Sequence, residues 1–422
     1  MPPDPFVFPN RKQHIMQKYQ VVVIGGGPAG IMAALQAADK GVQTLLLEKN
    51  NRLGSKLLIT GGGRSNLTND SDLSDFITSY HNGDFMRNAF AQFFNQDLIV
   101  FFEERGFNLV VEEEHLIFPA SQSAQDVVDF LLAQMKQNKI ALRLKTPVLD
   151  MERKGRLFEI TVADGQIAAE KIILATGGKS YPQTGSTGDG YGLAEKFGHI
   201  VFKPRPALCG IVLQEKLLKE WQGISLKKAT LKLMLGNKRL GSESGEIVFT
   251  HFGISGPAVL NLSRLLTDVE DKRSTHLLID LTPDLNASAL QARLMDEFIR
   301  HGRMTARNVL GSLVPARIAE QIVAFAGIPE GKTVSSITVE ERRALISLIN
   351  SFPLTVGGLL PIEDAMVTRG GINVKEINPR TMESKIVPGL FFAGEIIDVD
   401  GRTGGFNLQA AFSTGFAAGR HV

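Results

Sequence analysis

The chain has 422 residues, 43% of them hydrophobic and 21% charged, which is typical of a globular protein with two or three domains. A net charge of +2 does not by itself imply binding to nucleic acid, and the single Cys209 excludes an intramolecular disulfide or a multi-cysteine metal site. No metal site is predicted. No apolar run approaches the ~18 residues of a membrane span, and residues 1–20 resemble a loose tail without a signal core. We therefore expect a cytoplasmic protein without a membrane partner.

The first predicted strand leads directly into a glycine-rich turn. Residues 21–24 are four consecutive β-branched residues, which favour a strand buried on both faces, and helix formers follow from residue 31. Between them, Gly25, Gly27 and Gly30 have the G-x-G-x-x-G spacing. In that pattern the first glycine allows a tight turn, the second lets the backbone approach a pyrophosphate, and the third lets the helix pack on the strand.

A second strand completes the predicted nucleotide site. Ala29 lies at the helix start, where unpaired N–H groups and the positive dipole end favour phosphate. Residues 44–47 form the second strand, which ends at Glu48, about 20 residues beyond the turn, where a carboxylate accepts ribose hydroxyls. Lys49 follows and belongs to the same predicted site. The alternative is a structural βαβ turn with a surface Glu48.

A second glycine cluster comes next. Gly61, Gly62 and Gly63 leave backbone N–H groups bare, Arg64 adds a fixed cation, and Asn66 follows. This combination suits a second approach to the pyrophosphate or to the polar edge of a flavin. The alternative is a flexible loop.

The middle of the chain contains predicted core elements and one further strand that is expected to end at the ligand site. Residues 84–107 are predicted to form one helix whose phenylalanine stripe belongs to the core. The strand at residues 171–175 ends at Thr176 and Gly177, as a parallel strand does at a ligand crevice. The polar loop that follows, which includes Tyr181, either contacts cofactor or substrate or is a mobile surface loop.

The pattern changes after residue 201. Residues 202–285 show short alternating runs that predict an inserted β-rich domain, and residues 202–240 carry nine Lys or Arg against two Glu. A solvated strand face is favoured over an acidic partner. His251 lies between a strand and a helix, so it is a candidate for contacting substrate, with a structural role as the alternative. Residues 286–351 predict a small helical subdomain.

The C-terminal part of the chain contains further residues that are predicted to contact the cofactor. An apolar strand ends at Gly394 and Glu395, where the carboxylate can accept ribityl hydroxyls. The pair Gly404 and Gly405 then begins an Ala-rich helix. Such a helix start can lie under the pyrimidine side of a flavin and stabilise the negative charge of its reduced form. The predicted contacts there also include Asn407 and Leu408. The alternative is a helix that only packs on the sheet.

Together, six stretches resemble the BaiN-like flavoproteins, an aminoacetone oxidase family of FAD-binding enzymes. They are residues 25–30, 61–66, 175–192, 249–257, 369–371 and 394–409. The resemblance runs from about residue 19 to the C-terminus and implies an FAD-binding domain built from discontinuous segments. Ser65 departs from the pattern, because relatives commonly have cysteine there, so no thiol role transfers. Members are linked to the reduction of steroid-type enones and to amine oxidation.

The predicted fold class is α/β. A Rossmann-like FAD-binding domain (residues 19–201 and 352–422) carries an inserted β-rich domain (202–285) and a small helical subdomain (286–351). The predicted function is an FAD-dependent oxidoreductase that transfers hydride between flavin and a small organic amine or enone. His251, Arg369 and Tyr181 are the candidates for orienting that substrate or moving a proton.

The electron partner stays open between NAD(P)H and O₂. No second complete G-x-G-x-x-G unit occurs, so NAD(P)H would visit the flavin transiently or O₂ would reoxidise it. A less favoured alternative is a flavoprotein that docks on RNA through the basic stretch. A third is a non-catalytic FAD-bearing sensor.

Overall fold

The computed structural model describes residues 17–215 and 218–422. The first sixteen residues of the predicted N-terminal tail lie outside this part. The elements before the inserted domain are β1 (Gln17–Ile24), α1 (Pro28–Asp39), β2 (Thr44–Leu47), β3 (Thr68–Asn69), α2 (Leu73–Ser79), α3 (Gly83–Phe90), α4 (Asn95–Glu103), β4 (Leu109–Val111), β5 (Leu116–Pro119), α5 (Ala124–Gln137), β6 (Ala141–Arg143), β7 (Val148–Lys154), β8 (Leu157–Val162), β9 (Gly165–Leu174) and α6 (Asp189–Lys196).

The remaining elements follow in chain order. They are β10 (Val201–Ala207), β11 (Ile211–Leu213), α7 (Leu218–Trp221), β12 (Ser225–Leu235), β13 (Lys238–Phe249), β14 (Gly253–Ser255), α8 (Pro257–Thr267), β15 (Thr275–Asp280), α9 (Ala287–Arg300), α10 (Ala306–Leu310), α11 (Ala316–Phe325), α12 (Val339–Asn350), β16 (Phe352–Leu359), β17 (Val367–Ile372), β18 (Leu390–Phe392) and α13 (Phe406–His421).

The main sheet has the order β6-β2-β1-β9-β8-β7, and β18 pairs with the end of β9. Strands β6, β2, β1, β9 and β18 run parallel, so their carboxyl ends meet at one edge. The apolar residues of β1 are buried, as expected for a strand covered on both faces. This architecture confirms the predicted Rossmann-like α/β fold.

The two ends of the chain meet where α13 packs on α1. A β-carbon on Gly415 would collide with the Ala29 carbonyl oxygen, and one on Gly419 would collide with that of Ala33. Only glycine allows this close approach. The C-terminal helix is thereby held beside the helix that follows the first glycine turn.

The inserted part is a closed barrel with the strand order β11-β14-β13-β12-β15-β16. Strands β12, β13 and β15 pair antiparallel, and the barrel shares a hydrophobic core with helices α9–α12. Strand β16 closes the barrel through its pairing with β11 and β15. Residues 352–359 therefore depart from the predicted boundary, because the backbone of β16 finds its hydrogen-bond partners in the barrel and not in the parallel sheet. The three-domain division otherwise stays a prediction.

The stretch predicted as one helix at residues 84–107 is two helices, α3 and α4. The second one begins where the Phe94 backbone N–H donates to the Asp97 carboxylate at 2.7 Å, a capping contact that starts a new helix. The aromatic stripe is buried in the core, as predicted. Within residues 17–215 and 218–422, no helix is long and apolar enough to span a membrane.

Candidate active site

In the first glycine turn, two glycines are closely packed against the backbone and the third faces free space. Gly25 has a φ of +111°, and a β-carbon there would collide with the Ala175 carbonyl oxygen. A β-carbon on Gly30 would in turn collide with the Gly25 carbonyl oxygen. A β-carbon on Gly27 would have no protein atom within 4 Å. This geometry matches the roles assigned by the spacing, with Gly27 facing free space at the start of α1.

Glu48 closes the turn from the second strand. Its Oε2 accepts a hydrogen bond from the Gly26 N–H at 2.7 Å, and its Oε1 accepts one from the Asn50 N–H at 2.8 Å. Lys49 points to the start of α6, where its Nζ lies 2.5 Å from the Asp189 carboxylate. The carboxylate of Glu48 is therefore fixed in place with lone pairs left for a ligand.

One cavity of about 460 Å³ runs between these groups and the C-terminal segment. Most of the predicted site residues line it. They are Gly25, Gly27, Ala29, Glu48, Lys49, Gly61, Gly62, Asn66, Thr176, Gly177, Tyr181, Gly394, Glu395, Gly404, Gly405, Asn407 and Leu408. The parallel strand ends and both glycine-rich segments thus surround a single space.

The C-terminal glycine turn is held against the N-terminal part of the chain. Gly404 and Gly405 have φ values of +105° and +91°, and a β-carbon on Gly405 would collide with the Thr68 carbonyl. When its amide is oriented to suit its neighbours, Asn66 accepts from the Gly405 N–H at 3.0 Å. Asn407 accepts from the Gly401 N–H at 2.8 Å. These contacts aim the start of α13 at the cavity.

Sequence reasoning did not find an ion pair that lies in the middle of the cavity lining. Lys56 Nζ lies 2.6 Å from Glu395 Oε2 and donates to Ser180 Oγ at 2.7 Å. The other carboxylate oxygen of Glu395 accepts from the Thr368 N–H at 2.8 Å and from Ser180 Oγ at 3.0 Å. The only signal in the sequence was the position of Lys56 between Glu48 and the second glycine cluster.

Arg64 does not lie where it was predicted. Its guanidinium bonds both carboxylate oxygens of Glu112, at 3.0 and 3.1 Å, and stacks over the Phe118 ring at 4.1 Å. Neither Arg64 nor its neighbour Gly63 lines the cavity. The correction has a simple physical reason, because a carboxylate and an aromatic face on the adjacent β4–β5 hairpin satisfy this cation outside the cavity.

Arg369 and His251 also lie outside the lining. Arg369 is buried, and its guanidinium bonds the Asp400 carboxylate at 2.6 and 3.0 Å and Asp268 at 2.6 Å. It serves an internal charge cluster, so the structure corrects its assignment to substrate contact. His251 is exposed and packs edge-on against Phe252. Of the three catalytic candidates, only Tyr181 lines the cavity.

Tyr181 has two unusual properties for a tyrosine. Its φ of +51° lies in the left-handed region, which is strained for a side chain of this size. Desolvation by burial, followed by the negative charge of Asp364, raises the pKa of its hydroxyl above the ordinary value. The hydroxyl is therefore protonated at neutral pH, where it can donate or accept a hydrogen bond.

The cavity fits FAD. Gly27 leaves open space at the start of α1, where unpaired N–H groups and the helix dipole favour a pyrophosphate. Two carboxylates, Glu48 and Glu395, line the space at separate strand ends and can accept ribose and ribityl hydroxyls.

Comparisons with known proteins agree with this reading. Residues 19–421 match the family described as "HI0933-like protein Rossmann domain". A ribosomal RNA dihydrouridine synthase from Escherichia coli is 31% identical over 96% of this chain and 98% of its own. A 3-dehydro-bile acid delta(4,6)-reductase from Clostridium scindens is 31% identical over 95% of this chain and 98% of its own. The similarity thus extends over almost all of this chain and of each relative.

A solved structure shows the same fold at low sequence identity. The 3-ketosteroid delta1-dehydrogenase from Sterolibacterium denitrificans superimposes with a TM-score of 0.51 at 12% identity, over 96% of this chain and 99% of that one. The resemblance to BaiN-like flavoproteins is confirmed by the family match. From the family match and the full-length relatives we conclude that this chain is a member of the HI0933-like Rossmann family, and it is an FAD-dependent oxidoreductase.

Proposed function

We propose that this enzyme reduces a carbon–carbon double bond conjugated to a carbonyl group in a neutral ring, with NAD(P)H as the electron donor. The observation that carries the proposal is Tyr181, which lines the FAD-type cavity and carries a hydroxyl that is protonated at neutral pH. Reduction of such a bond needs a hydride equivalent at one carbon and a proton at the other, and Tyr181 is suited to the second task.

The names of the full-length relatives support the same chemistry. One is named for the Δ4,6 bond of a 3-dehydro-bile acid, and the other for dihydrouridine. Both names describe hydrogen added across a ring double bond next to a carbonyl group. Amine oxidation, the other predicted option, has no counterpart in these two names.

The chain's own residues would bind, orient and protonate. Glu48 accepts ribose hydroxyls, the N–H groups at the start of α1 bind the pyrophosphate, and Glu395 accepts ribityl hydroxyls. The start of α13, aimed by Gly405, supplies a positive dipole end for negative charge. When bound, FAD supplies two-electron hydride chemistry between NAD(P)H and the substrate. NAD(P)H is oxidised to NAD(P)⁺, and the ring gains one hydride and one proton.

An anaerobic experiment tests the proposal. The purified holoprotein is mixed with NADH or NADPH while the flavin absorbance is followed, and androstenedione is then added. We expect bleaching by one nicotinamide, recovery with the enone, and a product heavier by two hydrogens. A saturated steroid ketone serves as the control and should give no recovery. Bleaching by an amine in the absence of NAD(P)H, with no turnover of the enone, would overturn the proposal in favour of amine oxidation.

A second candidate is the reduction of a uracil base within RNA. The full-length similarity to the Escherichia coli relative supports it. The basic stretch supplies exposed cations at Lys227, Lys238 and Arg239, whereas Arg205 and Lys228 pair with Asp268 and Asp284. Binding to ribosomal RNA that weakens steeply with salt, together with dihydrouridine formation in that RNA, would favour this candidate. Absence of binding at low salt would remove it.

A further inference from the structure

A small apolar cluster lies between the two large hydrophobic cores. It consists of Leu208, Leu260 and Val367, which are exposed by only 2%, 7% and 6% and belong to neither core. All three line the same cavity as the predicted FAD residues. They come from three separate elements, since Leu208 follows β10, Leu260 lies in α8, and Val367 begins β17. We call these three residues the apolar wall.

The apolar wall is held by specific backbone contacts. Leu208 has a φ of +54°, which is sterically unfavourable for leucine, and its carbonyl oxygen accepts from the Met366 N–H at 3.1 Å. The next residue of the chain, Val367, pairs with Ala207 across β10 and β17. Leu260 lies in the first turn of α8, after Pro257, which also lines the cavity. A strained residue kept at a cavity surface is a mark of a binding role.

The positively charged side chains in the cavity lining are already paired with carboxylates of the protein. Within the described lining the cations are Lys49 and Lys56, and each is paired with a carboxylate, Asp189 or Glu395. The same lining also includes Tyr181 and two half-exposed apolar side chains, Ile59 and Met366, exposed by 46% and 44%. A substrate carboxylate placed there would lose its hydration without gaining a free cation.

We propose that the apolar wall is the substrate subsite, which takes the flat face of a neutral conjugated carbonyl ring and discriminates against carboxylates. This inference rests on the proposed function and names the substrate class of the same site. The ring can belong to a free steroid-type enone or to a uracil base of RNA, because both are flat, neutral and conjugated. The wall contacts the ring face, and Tyr181 lies within the same lining to meet the polar edge.

Leu260 is the residue to change, because α8 also offers a matched control. Leu265 lies on the same helix but is 41% exposed and does not line the cavity. In the oxidised holoprotein without reductant, ligand binding perturbs the flavin absorbance, so the dissociation constant is measured without turnover. We expect Leu260→Ala to weaken binding of androstenedione about tenfold or more, and Leu265→Ala to leave it unchanged. A uridine-containing oligonucleotide tests the RNA source in the same assay.

Val367→Thr is a second variant of the apolar wall that keeps the size of the side chain. It tests the subsite even if Leu260→Ala fails to fold. It should weaken ring binding in a protein that still binds FAD, whereas Leu265→Ala should leave the rate of flavin reduction by NAD(P)H at the level of the unmodified protein. Fumarate, a conjugated dicarboxylate, should bind more weakly than androstenedione.

The outcomes separate the subsite from the proposed function. Leu260-dependent binding of either ring without a hydrogenated product supports the subsite and overturns the reductase proposal. Product formation with equal ring affinity in Leu260→Ala, Val367→Thr and Leu265→Ala overturns the subsite alone. Tighter binding of fumarate than of either ring also overturns it.

Discussion

Lys56 and Glu395, which are 339 residues apart in the chain, form an ion pair of 2.6 Å within the cavity lining. Both side chains are largely buried, and Ser180 bonds to both of them. The pair joins the segment after β2 to the segment that follows the end of β18. It therefore fixes the position of the carboxylate that we assign to the ribityl chain.

Glu395→Gln should weaken FAD binding by roughly tenfold to a hundredfold, because a hydrogen bond to a charged group contributes about 1.5–3 kcal/mol. Titration of apoprotein with FAD, followed by flavin fluorescence, measures the change. Glu159→Gln is the control, since Glu159 forms a similar 2.6 Å pair with Lys154 on the β7–β8 hairpin and is absent from the cavity lining. Equal FAD affinity in the two variants would contradict the assignment.

Gly27→Ala should separate ligand binding from folding. No protein atom lies within 4 Å of the added β-carbon, so the free energy of unfolding of the apoprotein should change by no more than about 0.5 kcal/mol. FAD affinity should fall at least tenfold, because the methyl group would occupy the space of the pyrophosphate. Gly25→Ala should instead lose roughly 1–3 kcal/mol from backbone strain alone. Unchanged FAD affinity in Gly27→Ala would show that the pyrophosphate lies elsewhere.

Ser65 combines a φ of +63° with complete burial, and among the described residues its hydroxyl has no hydrogen-bond partner. Ser65→Cys should raise the free energy of unfolding of the apoprotein by about 1 kcal/mol, because a thiol is less costly to bury than an unpaired hydroxyl. Thermal unfolding measures the shift, and Ser65→Ala should act in the same direction. A lower Tm in both variants would mean that the hydroxyl has a stabilising partner.

Asp400→Asn should destabilise the protein strongly. Asp400 is fully buried between Arg369 and Arg264. Burial tends to raise the pKa of its carboxyl, but the hydrogen bonds and charges of the two arginines outweigh this effect and lower it. Removal of this charge leaves Arg264 without its carboxylate partner and Arg369 with Asp268 alone, which should cost about 3–5 kcal/mol in chemical denaturation. Asp268→Asn, on the half-exposed partner of Arg369, should cost less than about 1 kcal/mol. A comparable loss in both variants would refute the argument.

Tyr181→Phe should lower the rate of enone reduction by roughly a hundredfold or more while flavin reduction by NAD(P)H stays unchanged. Because the pKa of the hydroxyl is raised, the group is protonated below the ordinary tyrosine value near 10, and activity should fall only above that pH. The pH profile of kcat/KM measures this alkaline limb, which Tyr181→Phe should lack. An alkaline limb that persists in Tyr181→Phe would assign the proton to another group.

Local patterns in the sequence predicted the turns that line one end of the cavity. Gly25, Gly27 and Glu48 lie where the strand, turn and acid pattern places them, because that pattern depends on contacts within about 30 residues of one βαβ unit. Gly405 likewise begins its helix as expected. The glycine motif at residues 25–30 predicts a bound dinucleotide. The C-terminal segment at residues 394–409 indicates that this dinucleotide is FAD.

Contacts between distant segments decided the rest. In the sequence, Arg64 and Arg369 each lie beside glycines, as a cation that binds a cofactor would. In the structure, Glu112 pairs with Arg64 and Asp400 pairs with Arg369, and both pairs lie outside the cavity lining. Strand β16 joins the barrel because its hydrogen-bond partners lie there. The Lys56–Glu395 pair and the apolar wall exist only once the two ends of the chain and the barrel meet. Local periodicity carries no information on such pairings, since charge neutralisation and burial depend on which distant side chains come together.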